Sequence, residues 1–454
     1  MNITAFLPLK VLLTALMMVF AVAGGASEKV RIVVLSTADI HGRTAQFRHA
    51  VAPTVAGELS RYGSNAVYVD LGDTIQGTID VDSRRGREFM KLLNQSNCSI
   101  WVPGNHELEF GFNAFKRSVN EFSGTVLAAN LRSPELKSRV LPYKIITVNA
   151  VRIAFIGLML ENMNNCFPVS EKRFQTLPGR AVLRKCINEV RRENAEVIIL
   201  LRHAGIYGGG ENLIDLLRDM PEIDMVIGAH THIADAGSKV GRIWYIQPPP
   251  HGRGIMKAVI YFDRKKHQVC QIESEVIPLK AVVEKPSAYS RKAAPAVAED
   301  NNFAAQRIRS AFQTDLAFYA IGSMKDLQVL MLNDAPTVGD YYRVFNHFDP
   351  VITVKVNSGE MRTILREYVR LARRRKQYLA VAGFSYYAPH GKLQWVNFAE
   401  DKAVYTLALS AYVAAGAGGQ LPETRRILEN RIDHKQAEKA AGILEILTRV
   451  PPEQ

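Results

Sequence analysis

Apolar residues follow two alternating patterns through the first 280 residues of this chain. Short apolar runs predict β-strands, and helical spacing between them predicts helices. The predicted strands are 30–37, 66–71, 99–102, 125–129, 195–201 and 224–227, and the predicted helices are 47–62, 84–93, 113–122, 183–192 and 212–218. Runs 143–148 and 152–158 predict a hairpin around Asn149-Ala150, and 243–247, 256–262 and 269–276 predict further β-structure. This alternation favours an α/β layered sheet with antiparallel additions.

Polar side chains that suit metal ions follow five of these apolar runs. They are Asp39 and His41, Asp73, Asn105 and His106, His203, and His230 and His232. Because open α/β sheets place their sites at the carboxyl ends of strands, we expect these groups to converge. Asp, Asn and His side chains suit cations such as Zn, Mn, Fe or Co. No Cys belongs to the set, which argues against a structural zinc site and favours two divalent metal ions.

The spacing within the set favours one site for both ions. Two metal ions about 3.5–4 Å apart need a ligand that touches both. Asp73 follows a strand and Gly72, which suits the bridging role, and Asp39 and His41 can reach one ion from a single turn. His230 and His232 could divide between the two ions. The set predicts a metal-activated water that attacks a phosphorus-type ester.

The chain length bears on the number of domains, and the net charge bears on the possible partners. A chain of 454 residues favours two domains. The formal charge of +13 is compatible with nucleic acid or a membrane surface as partner. The sequence has no RNP motif and no helix-turn-helix signal, so we expect no nucleic-acid binding. We interpret the chain as a basic extracytoplasmic protein, and the run Arg373-Arg374-Arg375-Lys376 as a solvated helix end.

The N-terminus is typical of a secretory signal peptide at residues 1–26. Lys10 precedes an apolar run at 11–23, and small residues follow it. The run is short for a membrane span, so we expect none in the mature chain; an uncleaved anchor is the alternative. The expected location is periplasmic or extracellular. In such a compartment the four cysteines can form disulfides or remain free thiols, and the sequence leaves both alternatives open. They are Cys98, Cys166, Cys186 and Cys270.

A change in composition divides the chain into two predicted domains. Residues 281–300 are rich in Pro, Ala and charge, and we interpret them as a linker. Residues 27–280 then form the domain that carries the metal-binding pattern. Residues 301–454 are long enough for an α+β domain of their own. The oligomeric state is left open.

The residues of the first domain match a known family. The matching segments are Thr37-Ala38-Asp39-Ile40-His41-Gly42, Gly72-Asp73-Thr74, Gly104-Asn105-His106-Glu107, His203-Ala204-Gly205 and His230-Thr231-His232. The chain resembles the calcineurin-like metallophosphoesterases, and within them the exported 5'-nucleotidases, UDP-sugar hydrolases and 2',3'-cyclic nucleotide phosphodiesterases. The resemblance implies a four-layer sandwich, with two mixed sheets flanked by helices, plus a smaller α+β C-terminal domain.

The resemblance also implies roles for the individual residues. It implies one metal ion held by Asp39, His41, Asp73 and His232, and another held by Asp73, Asn105, His203 and His230. It implies that His106 contacts the phosphoryl group and assists the leaving oxygen. The family has Asp three residues after this His, where this chain has Glu109. Glu keeps the carboxylate, so we expect it to orient His106.

The substrate positions of the second domain match less well. The family's Arg aligns with Lys325, whose ammonium group cannot form the same bidentate hydrogen bonds. Its first stacking aromatic aligns with His347 or Phe348, and its second aligns with Gln420. The predicted substrate residues are therefore Lys325, Phe348 and Gln420. Aromatic residues from elsewhere are the alternative, namely Phe384, Tyr386 or Tyr387.

Two classes of function follow from the sequence. The first is an exported two-metal hydrolase of a small phosphate ester, with nucleotides as the leading substrates. Within this class, a cyclic phosphodiester, a non-nucleotide ester or a sulfur analogue is the alternative. The second class is a metal-binding surface protein with little turnover. The complete ligand set favours the first class, whereas the altered substrate positions keep the second open.

Overall fold

The structure is a computed structural model, and it describes residues 29–167, 172–207, 212–283, 292–293, 301–322, 324–345, 348–437 and 439–448. The predicted signal peptide at 1–26 and most of the predicted linker at 281–300 lie outside these residues. Among the helices of the described ranges, none has the length and apolar character needed to cross a membrane.

The first part of the chain contributes two large mixed sheets. Its strands are β1 (Lys29–Thr37), β2 (Ala66–Asp70), β3 (Ile100–Trp101), β4 (Thr125–Leu127), β5 (Leu131–Arg132), β6 (Val140–Leu141), β7 (Tyr143–Val148), β8 (Val151–Leu158), β9 (Gln175–Thr176), β10 (Val197–Arg202), β11 (Met225–Ile227), β12 (Asp235–Val240), β13 (Ile243–Gln247), β14 (Gly254–Asp263) and β15 (Gln268–Pro278). One sheet has the order β15-β14-β1-β2-β3-β4-β6, and the other has the order β12-β13-β11-β10-β8-β7. Strands β1 to β4 run parallel, as do β8, β10, β11 and β13. Strand β6 adds to the first sheet in parallel to β4, and antiparallel strands complete both sheets elsewhere.

Helices connect the strands throughout the chain. In chain order they are Thr44–Gln46, Ala52–Tyr62, Ile79–Ser83, Phe89–Gln95, Phe112–Glu121, Gly179–Arg192, Leu213–Leu217, Phe303–Phe312, Met324–Met331, Val338–Val344, Ser358–Arg374, Ala411–Ala414, Pro422–Leu428, His434–Ala437 and Ile443–Leu447. A cross-over helix between parallel strands covers one face of the sheet that they join. This arrangement explains the near-continuous apolar runs, because a parallel strand is buried on both faces.

Three hydrophobic clusters show the layers of the first part. Ile32 of β1 and Ile199 of β10 belong to one cluster, which lies between the two sheets. The outer face of the first sheet packs against helices Ala52–Tyr62, Phe89–Gln95 and Phe112–Glu121. Leu183 and Leu213 belong to the helices that cover the outer face of the second sheet. The layers are thus helix, sheet, sheet and helix, which confirms the predicted four-layer α/β sandwich.

The second part of the chain is built on a smaller sheet. Its strands are β16 (Leu316–Ile321), β17 (Val351–Val356), β18 (Tyr378–Ala382), β19 (Phe384–Tyr387), β20 (Trp395–Phe398) and β21 (Tyr405–Ser410). The sheet order is β17-β21-β16-β18, and β19 and β20 form a separate hairpin. Helix Ser358–Arg374 packs on one face and helix Phe303–Phe312 on the other. This is the α+β region predicted for the C-terminal part, whereas its exact boundaries stay a prediction.

The structure differs locally from the sequence prediction, for example at one helix start and one strand. The helix predicted at 84–93 starts later, at Phe89, because residues 84–88 form turns around Gly86, whose φ is +71°. Strand β12 was not predicted, since its sequence, Asp235 to Val240, is polar and has no apolar alternation. It forms because it pairs with β13 at the edge of the second sheet.

Candidate active site

The predicted ligand positions lie just after five parallel strands of the two sheets. Asp39 and His41 follow β1, Asp73 follows β2, and Asn105 follows β3. The others follow strands of the second sheet, namely His203 after β10, and His230 and His232 after β11. The structure therefore brings the polar groups of both sheets to one end of the sandwich, as the position of strand ends in α/β sheets predicts.

The backbone at these positions has an uncommon conformation. The φ angle is positive at Asp39 (+52°), His41 (+49°), Asp73 (+52°), His230 (+72°) and His232 (+59°). Non-glycine residues rarely adopt such angles, which cost roughly 1–3 kcal/mol each where surrounding structure enforces them. Positive φ also occurs in turns elsewhere in the chain, but these five residues face one another, and strained residues that cluster in this way point to a functional site.

The first donor group consists of Asp39, His41 and His232, whose ligand atoms lie within 4.8 Å of one another. His41 Nε2 and His232 Nε2 are 2.9 Å apart, and His232 Nε2 is 3.7 Å from Asp39 Oδ1. His41 Nδ1 donates to Gln76 Oε1 at 3.2 Å, which leaves Nε2 as the lone-pair nitrogen. Two imidazole nitrogens this close to a carboxylate fit a shared divalent cation.

The second donor group consists of Asp73, His203 and His230. His203 Nε2 lies 3.2 Å from Asp73 Oδ2, and His203 Nδ1 donates to the Leu71 carbonyl. The same Oδ2 lies 4.0 Å from His41 Nε2 of the first group. Asp73 thus stands between the two groups, as a bridging carboxylate would.

Asn105 supplies a further oxygen at this point. Its Oδ1 is buried, and within the described part of the chain it has no hydrogen-bond partner. Its neighbour His106 donates its backbone N–H to Asp73 Oδ1 at 2.8 Å. A buried amide oxygen without a partner is costly, and a metal ion would satisfy it. The donor set and this oxygen therefore fit two divalent metal ions.

Close backbone approach holds the two groups together. A Cβ atom at Gly104 would lie 2.3 Å from Asp73 Oδ1 and 2.4 Å from His203 Cε1, so only glycine fits there. The buried carboxylate of Glu107 accepts N–H groups from Asp73 at 2.9 Å, Thr74 at 2.7 Å and Gly104 at 2.6 Å. Glu107 thereby ties the loop after β2 to the loop after β3.

Burial and charge set the protonation of the site. Burial lowers the pKa of His41 to about 3 and that of His230 to about 4, so both are neutral at pH 7. Burial also acts to lower the pKa of His203, but the Asp73 carboxylate beside it raises the pKa to about 9. Burial raises the pKa of Asp39 to about 7. Neutral imidazoles are the form that binds metal ions.

His106 and Glu109 form a pair beside the donor groups. Glu109 Oε2 lies 2.6 Å from His106 Nδ1. Burial acts to lower the pKa of His106, but the carboxylates of Asp73 and Glu109 outweigh it and raise the pKa to about 10. His106 is therefore an imidazolium at neutral pH. The extra methylene of Glu109, relative to Asp, leaves the carboxylate in reach of the ring.

A cleft of about 660 Å³ runs from these residues to the second part of the chain. Asn105, His106 and His230 line it on one side. Aromatic and charged side chains line it elsewhere, among them Phe167, Tyr319, Phe345, Tyr412 and Arg375. Arg375 donates to the Tyr412 hydroxyl at 3.0 Å. An apolar cleft with a few polar groups is the usual form of a small-molecule site.

The predicted substrate residues have different positions relative to this cleft. Gln420 lines it. Phe348 is buried, packs against Phe110 with ring centroids 5.1 Å apart, and does not belong to the described cleft lining. Lys325 lies in helix Met324–Met331, but its side chain is outside the described part. The alternative aromatics also differ, since Tyr387 is half exposed and stacks on Trp395.

Sequence reasoning missed three residues at or near the site. Tyr412 precedes the glycine-rich loop, and Arg375 belongs to the run interpreted as a solvated helix end. His251 follows three prolines, and its ring centroid lies 5.2 Å from that of His232. The only feature of the sequence that could have pointed to Arg375 was its position as a positively charged residue at the end of a long amphipathic helix. His251 follows the end of β13 by four residues, as Asn105 follows β3, so the strand-end rule could have revealed it.

Comparison with known proteins agrees with this geometry. Residues 32–234 match the family model for calcineurin-like phosphoesterases. These residues form a calcineurin-like phosphoesterase domain, and the resemblance to that family is confirmed for this part of the chain.

Two curated relatives align with this region. A snake venom 5'-nucleotidase from Gloydius brevicauda is 27% identical over 235 residues, which cover 47% of this chain and 38% of the venom protein. A 2',3'-cyclic-nucleotide 2'-phosphodiesterase/3'-nucleotidase from Haemophilus influenzae is 25% identical over 252 residues, which cover 47% of this chain and 38% of the relative. The alignments thus span about two fifths of these relatives.

The fold similarity extends further than the sequence similarity. A 5'-nucleotidase precursor from Thermus thermophilus has a TM-score of 0.61 at 17% identity, and the match covers 92% of this chain and 96% of that structure. The similarity includes the second part of the chain. At this identity it concerns the fold alone.

Proposed function

We propose that this protein is a metal-dependent phosphoester hydrolase of the 5'-nucleotidase type. One observation carries the proposal: two donor groups meet at Asp73, beside the His106–Glu109 pair, and residues of the site line a cleft. The matched family and the names of the relatives support it.

The described residues divide naturally between two divalent ions. Asp39, His41 and His232 would hold one ion, Asn105, His203 and His230 the other, and Asp73 would touch both. When bound, two such ions polarise a phosphoryl oxygen and provide a nucleophilic water at neutral pH. Zn, Mn, Fe and Co all suit this donor set.

His106 and Glu109 would handle the proton of the leaving group. As an imidazolium, His106 can donate a proton to the leaving oxygen as the P–O bond breaks. Its Nδ1–H is fixed on Glu109, so its Nε2 is the donating atom. Glu109 thus acts on the reaction by orienting and charging His106.

The cleft would hold the remainder of the ester. Tyr412 and Phe167 are half-buried aromatic residues that can stack on a flat ring, and Gln420 lies at the cleft edge. Arg375 can contact an anion or a sugar hydroxyl. A nucleotide supplies each matching group, and nucleotides appear in the names of both curated relatives. Export to the periplasm or cell exterior is proposed from the apolar segment at 11–23.

Phosphate release from purified, metal-loaded protein tests the proposal. The assay compares nucleoside monophosphates with a simple aryl phosphate, in the native chain and in His106→Gln. We expect turnover that needs added divalent metal and falls about 10²–10⁴-fold in the variant, the usual scale for a positioned acid. Two bound metals per chain without any ester hydrolysis would contradict the proposal and favour a metal-binding surface protein.

A further inference from the structure

Arginines form a line along helix Ser358–Arg374 of the second part. The apolar side of this helix, which includes Ile364 and Leu365, is buried in the core of that part. Its exposed side carries Arg362, Arg366, Arg370, Arg373 and Arg374. Residues three and four positions apart are neighbours on a helix surface, so these side chains share one face of the helix.

The arginines of this line have no acidic partner nearby. The acidic residues of the same helix are engaged elsewhere, since Glu360 pairs with Arg431 at 2.5 Å and Glu367 accepts the Thr424 N–H at 2.8 Å. Within the described part of the chain, no carboxylate oxygen lies within 4.0 Å of the guanidinium nitrogens of the line. Like charges one helical turn apart repel each other, and an anionic partner would offset this repulsion.

The β19–β20 hairpin lies against the same helix. Arg362 donates to the Val396 carbonyl of β20 at 3.1 Å, and its guanidinium lies 5.4 Å from the centre of the Phe398 ring. In the turn of the hairpin, a Cβ atom at Gly391 would lie 2.8 Å from Cδ of Arg373. The two contacts are three helical turns apart, about 16 Å, so the hairpin follows the helix along the arginine line.

The outer face of this hairpin carries two exposed aromatic rings. Tyr387 and Trp395 are paired across the two strands, and their rings stack with centroids 6.0 Å apart. They are 50% and 49% exposed, whereas their neighbours Tyr386 and Val396 pack against the core on the opposite face. The second part of the chain thus has a cationic helix face and an exposed aromatic pair on adjacent elements.

An anionic phospholipid surface matches both of these features. Arginines near such a surface are attracted to its negative potential, and Trp and Tyr rings prefer the interface between lipid and water. A single-stranded nucleic acid would need free ring faces on which its bases could stack. Here each ring already covers one face of the other, which favours the lipid surface.

We propose that the arginine line and the Tyr387–Trp395 pair form a docking surface for a membrane that contains anionic phospholipids. The guanidinium groups contact lipid phosphates, and the two rings lie at the level of the headgroups. Binding is peripheral and reversible, because it uses surface side chains and no membrane-spanning helix. The docking surface does not depend on the metal ions or on ester hydrolysis.

Vesicle co-sedimentation of the full chain tests this docking surface. One set of vesicles contains phosphatidylcholine alone, and the other an equal mixture of phosphatidylcholine and phosphatidylglycerol. The apolar segment at 11–23 is present throughout, so binding to the neutral vesicles measures its contribution. We expect at least about a hundredfold stronger partitioning to the anionic vesicles, and a steep decrease with added salt.

Charge variants show whether the arginine line causes the difference. The double variant Arg366→Gln, Arg370→Gln should lower partitioning to anionic vesicles roughly 30-fold, about fivefold for each arginine, and leave binding to neutral vesicles unchanged. The double variant Arg48→Gln, Arg192→Gln is the matched control. It removes the same charge from exposed arginines of the first part, and it should change partitioning less than about twofold.

Tryptophan fluorescence reports on the aromatic pair. Trp101 is fully buried and Trp244 is half-buried, so Trp395 is the tryptophan that a lipid surface can reach. Anionic vesicles should shift the emission of the native chain to shorter wavelength. Trp395→Tyr keeps an aromatic ring for docking but should abolish the shift. A shift that persists in this variant would remove the hairpin from the docking surface.

Two further results would overturn the docking surface. One is equal partitioning to neutral and anionic vesicles, and the other is an equal loss in the Arg366, Arg370 variant and in its matched control. A thymidine oligonucleotide provides a third comparison. If the Arg366, Arg370 variant lost affinity for the oligonucleotide and kept its affinity for anionic vesicles, the surface would be a nucleic-acid site instead.

Discussion

Glu109 accepts a hydrogen bond from the backbone N–H of Phe348 at 2.8 Å, through the carboxylate oxygen that does not face His106. The side chain that charges His106 is thus also a contact to the second part of the chain. Phe110 adds to this contact, because its ring packs edge-on against Phe348. The placement gives Phe348 a role in positioning Glu109, although the sequence predicted that it would stack on substrate.

Glu109→Gln tests the charge of this pair. The amide can still accept from His106, but it removes the negative charge, so the pKa of His106 should fall from about 10. In the native chain the raised pKa keeps His106 protonated up to about that pH. In the variant His106 should lose its proton at a lower pH, and the enzyme should then lack its proton donor. We expect the alkaline limb of the kcat–pH profile to move to lower pH and kcat to fall about 10–100-fold. An unchanged alkaline limb would show that His106 is not the acid.

Glu109→Asp tests the reach of the side chain. Asp is one methylene shorter, so it can contact His106 or Phe348 but not both in the present geometry. We expect a loss of unfolding free energy of about 1–3 kcal/mol, because a buried N–H or imidazole loses its partner. Thermal or urea denaturation measures it. A variant as stable as the native chain would show that the bond to Phe348 contributes nothing.

Asp73→Ala tests the carboxylate that stands between the donor groups. Without it the second group loses its carboxylate and the first group loses the carboxylate that lies beside His41, so hydrolysis should be lost and bound metal should fall below two per chain. Elemental analysis of the dialysed protein measures the metal content. Asp401→Ala is the matched control, because Asp401 is exposed, and it should keep both metal and activity. Normal metal content in Asp73→Ala would refute the bridging assignment.

Metal binding should release a proton from His203. With a pKa of about 9, this ring holds a proton at pH 8 in the metal-free protein, whereas His41 and His230 are already neutral. A metal ion must displace that proton, so about one proton should leave per chain, and metal affinity should rise with pH until about 9. Calorimetry in buffers of different ionisation enthalpy measures the release. If His203→Asn released the same number of protons, their source would lie elsewhere.

Tyr412→Ala tests the aromatic wall of the cleft. Loss of a stacking ring costs about 1–3 kcal/mol, so KM for nucleotides should rise roughly 5–150-fold. A small ester such as glycerol phosphate should be nearly unaffected. Tyr387→Ala is the control, because Tyr387 stacks on Trp395 and does not belong to the described cleft lining. The reverse pattern would support the alternative aromatics of the β19–β20 hairpin.

Base preference gives an independent test of the altered substrate positions. With Phe348 buried and Gln420 at the cleft edge, no pair of aromatics from the predicted positions encloses a base. We expect kcat/KM to differ by less than about tenfold between purine and pyrimidine monophosphates. We also expect a simple aryl phosphate to be hydrolysed. A hundredfold preference for one nucleotide would show that the cleft recognises the base closely.

The metal-binding residues were predictable because the apolar pattern shows where strands end, and α/β sheets place their sites at strand ends. Each ligand position follows an apolar strand, and strand ends in an α/β sheet meet at one edge, so Asp39 and His203 could be paired from the sequence. Phe348 shows the limit, because its residue type was visible but its burial against Phe110 depends on tertiary packing. Strand β12 has no apolar pattern, and only its pairing with β13 defines it.

The left-handed backbone at the donor residues has a consequence for laboratory evolution. Replacing a strained residue by glycine removes the unfavourable φ, so a variant such as His232→Gly would relieve part of the roughly 1–3 kcal/mol stored at that position. Selection for thermostability alone would therefore drift toward sequences that lack the donor side chains. At these few positions, the substitutions that raise stability are the ones that lower activity.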